Sequence, residues 1–180
     1  MTTLDELRTF LPTDFKPADV PALFPAAGRR YGRAPLTEGW TTDEAARALM
    51  LAAVPPAEVQ EIYRYGDTAE KLAVLKALPL LTIGDEGVPL LEDALRTNDT
   101  RLVAAALGGP YADRLGPEAW RQAVLKCVFM GVPLNNVHRL HERADSDLGA
   151  MLRAFAHERQ AAGRDMPADA TALLDRLQED

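Results

Sequence analysis

Thirty alanines and 26 leucines stand against 10 valines and two isoleucines in this chain of 180 residues. Ala and Leu lose little on entering a helix, whereas β-branched side chains lose rotamer freedom there. That imbalance excludes an all-β fold and disfavours a doubly wound α/β sheet. Hydrophobic residues make up 47% and charged residues 26%, an ordinary globular balance. A chain this long buries roughly 70% of its unfolded surface, so it needs no disulfide staple. Its single cysteine, Cys127, could not form one within the chain. The length suits one domain over residues 1–180.

Capping signals and prolines cut the chain into short helices. Thr3 with Glu6 reads as a capping box, as does Asp67 with Glu70. Residues 1–40 look less regular, since Pro12, Pro17, Pro21, Pro25 and Pro35 interrupt them; a short helix fits around Asp19–Ala27. Thr42 is placed to cap a helix over 43–54. Pro117 starts the most apolar helix, through Met130, closed by Gly131. A short helix is expected over Leu134–Glu142, and Ser146 is placed to cap a long one that stops at Gly163. Ala73-Val74-Leu75-Lys76-Ala77 recurs fifty positions later as Ala123-Val124-Leu125-Lys126-Cys127. A period of about 40–50 residues is the scale of HEAT or armadillo units. The expected fold is therefore all-α: an α-α superhelix, HEAT- or armadillo-like, over 41–180, with an irregular helical bundle as the alternative.

Charge narrows the partners. Twenty basic against 27 acidic residues give a net charge of −7, which argues against nucleic acid and against a polybasic membrane contact. No apolar run approaches the ~20 residues of a transmembrane helix. The opening MTTLDELRTF is acidic and amphipathic, unlike a secretory signal. A cytoplasmic location is expected.

Candidate chemistry is sparse. There is no P-loop, G-x-G-x-x-G or G-x-S-x-G, and no cofactor is expected. Leu148, Met151, Leu152 and Phe155 form one helical stripe, and extending it lands on Glu158 and Arg159. Either the helix emerges from the core there, with the Arg159 stem on apolar surface, or the two mark the mouth of a polar cleft. Glu118, Gln122 and Lys126 form the single polar line on a helix that is otherwise apolar almost all round. That line reads either as the ordinary polar stripe of the helix, or, since a helix so apolar should be central, as placing Lys126 toward a cavity or a buried carboxylate. Cys127 reads as an inert core thiol. His138 and His141 are three apart, so a helix would set them side by side; with His157 or Glu158 they would make a three-ligand metal site, and otherwise they belong to an exposed, charged turn.

From Trp120 onward the residues resemble a known family. Trp120, Val124-Leu125-Lys126, Phe129, Gly131 and Pro133-Leu134, then Glu142-Arg143-Ala144, then Ala156-His157-Glu158-Arg159-Gln160-Ala161-Ala162-Gly163-Arg164 resemble the EboA family over 120–164. The resemblance implies a part in moving secondary-metabolite precursors, encoded beside other proteins of one gene cluster. It carries no established chemistry. Its shared polar positions fall on Lys126, Arg143, His157, Glu158, Arg159 and Arg164, which makes these the expected ligand-binding residues.

The expected function is therefore a non-catalytic helical protein of an EboA-like metabolite-traffic system, binding a small anionic metabolite or a partner protein of the same cluster. The alternatives are a purely structural protein–protein adaptor, or an enzyme or metal protein using Lys126 or His138, His141 and His157.

Overall fold

The preference for helix written in the Ala and Leu content is met along almost the whole chain. A computed structural model describes residues 2–179. Among them are eleven α-helices: α1 (Leu4–Phe10), α2 (Val20–Tyr31), α3 (Thr42–Leu51), α4 (Pro56–Tyr65), α5 (Thr68–Ala77), α6 (Val88–Arg96), α7 (Thr100–Leu107), α8 (Pro117–Met130), α9 (Leu140–Arg143), α10 (Ser146–Ala161) and α11 (Ala168–Glu179). Short 3₁₀ turns join several of them. The only strands among the described residues, β1 (Pro35–Thr37) and β2 (Trp40–Thr41), pair antiparallel. The fold is all-α. Two compact units divide the chain, Met1–Leu90 and Leu91–Asp180.

In the first unit α3 is the hub, packed on α1, α2 and α5, while α4 packs on α5. Ala45, Ala46 and Ala48 are fully buried in it; small side chains let neighbouring backbones come close. The helix starts on Thr41 rather than on the expected Thr42, because Thr41 N–H donates to Glu44 Oε2 at 2.9 Å. It also ends at Leu51, short of the expected 54. Two α3 side chains are charged and buried. Arg47 donates from Nη1 to Asp43 Oδ2 at 2.9 Å and from Nε to the Phe24 carbonyl at 3.1 Å. Thr41 Oγ1 donates to the other Asp43 oxygen at 2.6 Å.

The prolines were expected to confine the helix to about 19–27, yet α2 runs through Pro25 to Tyr31. Pro25 has no N–H to give to the Pro21 carbonyl and its ring crowds the turn before it. The helix continues with Val20, Phe24 and Ala27 buried on its inner face, and the Arg47 bond to the Phe24 carbonyl ties it to α3. Arg29 and Arg30 lie in the last turn of α2, where positive charge suits the helix dipole.

In the second unit α8 packs on α7 and α10, and α10 on α11. Trp120, Ala123, Val124, Cys127 and Val128 form its buried face. Of the two readings of α8, the polar stripe is the one that forms and the fully central helix does not: Phe129 is 72% exposed, Gln122 is exposed and Lys126 half-buried. The Glu118–Gln122–Lys126 line is an outer face. Gly131, at φ 75°, ends the helix in the left-handed conformation expected of a glycine there.

The buried pair in α3 sets a prediction. Arg47→Met leaves Asp43 buried without its partner and should lower stability by about 3–5 kcal/mol in urea unfolding. A loss below about 1 kcal/mol would show that the pair does not hold α2 to α3.

Candidate functional site

Arg143 does the most of the six expected ligand-binding residues, and its work is internal. From α9 its Nη1 donates to the Ala112 carbonyl and its Nη2 to the Leu115 carbonyl, both at 2.8 Å. The guanidinium lies 4.7 Å from the centre of the Trp120 ring and 3.9 Å from Asp113 Oδ1. Burial lowers its pKa from the usual guanidinium value, opposed by Asp113 and helped by Arg139; it stays charged at any physiological pH. A five-donor fork over an aromatic face, with two donors on carbonyls, is a staple between the 110–115 segment, α8 and α9.

The α10 end resolves similarly. Arg159 lays its guanidinium 5.6 Å from the Phe155 ring and donates from Nε to the Asp165 carbonyl at 2.7 Å. Gly163 at φ 69° and the Arg164 N–H bond to the Arg159 carbonyl, 2.8 Å, close the helix. This is a glycine stop, so the Ala-Ala-Gly-Arg tail encodes a helix end. The side chains of His157, Glu158 and Arg164 are exposed. Among the described residues no hydrogen bond or ion pair joins any two of the six.

The histidines are not brought side by side. A single helix over 134–142 was expected; instead a 3₁₀ turn (Leu134–Asn136) and α9 are separated by Arg139 at φ 51°. The break follows from bonds made elsewhere. His138 N–H donates to the Leu107 carbonyl at 2.8 Å, and Leu134 N–H to Asp169 Oδ2 at 2.8 Å. The His138 ring sits 3.6 Å from Asp113, while His141 and His157 are exposed. Among the described residues no group of three or more His, Cys, Asp or Glu could hold a metal ion.

Lys126 lines a recess. A groove of about 430 Å³ runs between α6 and α8, with Glu92, Leu95 and Arg96 on one side and Ala119, Gln122, Ala123 and Lys126 on the other. Lys126 Nζ donates to the Leu95 carbonyl at 2.6 Å, one of the last carbonyls of α6 that no helical N–H reaches. That uses one of its three donors. Its counterpart in the repeated five-residue run, Lys76, is spent differently: Nζ lies 2.6 Å from Glu44 Oε2 and 4.8 Å from the Trp40 ring. Sequence reading missed Arg96, because its only signal was a place at the end of α6.

The start of α10 was also misplaced by one residue. Asp145, not Ser146, caps it, accepting from Leu148 N–H at 3.0 Å. Arg121 fixes that carboxylate with Nε and Nη2, at 2.9 and 2.6 Å, and holds its pKa below the ordinary range.

The family model described as metabolite traffic protein EboA matches residues 26–175. This chain belongs to the EboA family. No curated protein and no solved structure matches it. The EboA match takes in both the Lys126 groove and the Arg143 staple. It also takes in Cys127, whose thiol is pushed up to about 11 by burial, opposed slightly by Lys126. No helix among the described residues is long and apolar enough to cross a membrane.

Two predictions follow from this chemistry. Cys127 should resist alkylation at pH 8 in the folded protein and react fully in denaturant; fast labelling of the native form would contradict its burial. Asp145→Ala should cost about 1–2 kcal/mol at pH 7, through the lost cap and ion pair. Because the folded pKa of Asp145 is depressed, its contribution is complete above about pH 4 and disappears as pH falls through the folded value. The gap between wild type and variant should therefore close in acid, and a gap that widens there would contradict the assignment.

Proposed function

We propose that this EboA-family chain serves metabolite traffic as a non-catalytic cytoplasmic binding component, and that it takes a small anionic metabolite on Lys126 in the groove between α6 and α8. One contrast carries the reading. The two lysines of the repeated run are both anchored, but Lys76 is neutralised by Glu44 while Lys126 meets only a carbonyl. An ammonium left with two donors at the side of a groove suits a carboxylate or phosphate. Arg96 is bonded to its exposed neighbour Asp93 at 3.2 Å, a surface pair that holds it weakly, so it can turn toward a ligand. Gln122 adds a donor and an acceptor. Glu92 on the same rim would orient the ligand, with its anionic end toward Lys126. The groove's side chains include no nucleophile with an adjacent base, which favours binding over turnover. Pairing of α7 with α8 and of α10 with α11 supports a helical-array reading of this unit.

A second reading has its own observation. Phe129, on the next turn of α8, is largely exposed and meets Phe155 edge-on with ring centres 6.4 Å apart. An exposed aromatic pair suits a partner protein, and other proteins of the same gene cluster are the proposed partners.

Native mass spectrometry of the full chain, purified from cells expressing its gene cluster, separates these. Wild type should carry a reproducible excess mass that Lys126→Met loses while its circular dichroism is unchanged. The same excess on Lys126→Met, or none on wild type, would overturn the ligand assignment. Loss of a co-purifying protein on Phe129→Ser alone would favour the adaptor.

A further inference from the structure

In the first unit one side of α4 is left open. Val59 and Tyr63 are buried where the helix packs on α5. Glu58, Glu61, Ile62 and Tyr65 recur at steps of three and four, so they share another side of it. Pro21 and Pro25, four apart on α2, form the opposite wall. Between the two helices lies an open groove of about 250 Å³ with a mainly apolar surface. That surface can be reached. Tyr65 is 77% exposed, both prolines are exposed and Ile62 is half-buried. Proline rings lose no rotamer freedom when covered.

The charged residues lining this groove are all acidic: Glu58, Glu61 and Glu70. Glu58 stands at the start of the α4 wall, and Glu70 lies against Gly66 at the other end. Glu70 is only 8% exposed. One of its oxygens accepts from the Asp67 N–H at 2.7 Å, and the other has no bonded donor among the described residues. Neither Glu58 nor Glu70 forms an ion pair among the described residues. Glu61 meets only its neighbour Arg64, at 4.0 Å with both side chains exposed, and such a pair holds weakly. The Arg64 guanidinium also lies 5.9 Å from the centre of the Tyr65 ring, a face that suits a cation.

Size and charge together choose the occupant. Small-molecule pockets usually enclose ~300–1,000 Å³. This groove is smaller and open, on the scale of side chains presented by another chain. From 58 to 65 the helix rises ~10 Å, the length of about three residues of extended chain. Three carboxylates repel the phosphates of a membrane or a nucleic acid and attract Arg or Lys.

We propose that the groove between α2 and α4 docks a short extended segment of a partner protein, apolar at its centre and basic at both ends. Its apolar side chains lie on Pro21, Pro25, Ile62 and Tyr65, and its cations meet Glu58 and Glu61 at one end and Glu70 at the other. The site uses no residue of the Lys126 groove and does not involve Phe129.

An acetylated, amidated Arg-Leu-Leu-Arg peptide is the probe, titrated into the full ¹⁵N-labelled chain and followed by amide shifts. Glu-Leu-Leu-Glu and Arg-Ser-Ser-Arg peptides with the same ends are the controls. The probe should saturably shift the amides of Ile62, Tyr65, Gly66 and Glu70, with affinity at least about fivefold above either control. Tyr65→Ser and Glu61→Lys, both exposed changes, should each weaken the probe by about fivefold or more with circular dichroism unchanged. Lys126→Met and Phe129→Ser should leave the titration as it is, which keeps failure here distinct from failure of the proposed function. The proposal is overturned if wild type shows no saturable shift at these amides, if either control binds as well as the probe, or if Tyr65→Ser binds like wild type. Butylammonium binding as tightly as the probe would assign the groove to a small amine instead. The same shifts on raising protein concentration alone would assign it to a second copy of the chain, and either result also overturns the proposal.

Discussion

A guanidinium set among backbone carbonyls organises the second unit. The 110–115 segment makes its turns with 3₁₀ bonds, one of them from the Leu115 N–H to the Ala112 carbonyl at 3.1 Å. Arg143 adds a second bond to that carbonyl and donates to the Leu115 carbonyl as well. An unmet buried carbonyl costs about 1–3 kcal/mol. The same guanidinium covers the Trp120 ring. Trp120 in turn anchors the buried face of α8, and α8 is the helix on which α7 and α10 pack. The indole Nε1 is buried with no hydrogen-bond partner among the described residues, so the ring is held by its packing and by the cation on its face.

The first unit uses a cation in the same manner, with Arg47 bridging a carboxylate on its own helix and the carbonyl before Pro25. In each unit an arginine ties backbone carbonyls of one segment to a helix packed near it. This divides the polar residues of the EboA-like motif. Arg143 and Arg159 are occupied by carbonyls and aromatic faces. Gly163 and the backbone of Arg164 form a helix stop. Lys126 is left as the polar motif residue that both lines a groove and retains donors.

Much of the fold was legible because it is local. The Thr3/Glu6 and Asp67/Glu70 boxes and the Gly131 stop each depend on residues within one turn, and each forms. What escaped the sequence depends on distant partners. The passage of α2 through Pro25 accompanies burial of Val20, Phe24 and Ala27 and packing on α3. The break at Arg139 needs the Leu107 carbonyl and Asp169. The cap at Asp145 rather than Ser146 is favoured by Arg121. Periodicity correctly placed Lys126 and Gln122 on one line, but it left open whether that line was solvated or enclosed. Exposure of Phe129 shows that α8 has an open side. The motif named the right polar residues without showing that most of them serve the backbone.

Urea unfolding of Arg143→Met beside Lys126→Met tests this division most directly. The account predicts a loss of about 3 kcal/mol or more for Arg143→Met, from two carbonyl bonds and the contact with Trp120. It predicts about 1 kcal/mol or less for Lys126→Met, which removes one bond at a helix end. Equal losses, or a larger loss at Lys126, would mean that Lys126 is a structural staple and that the groove has no donor to spare.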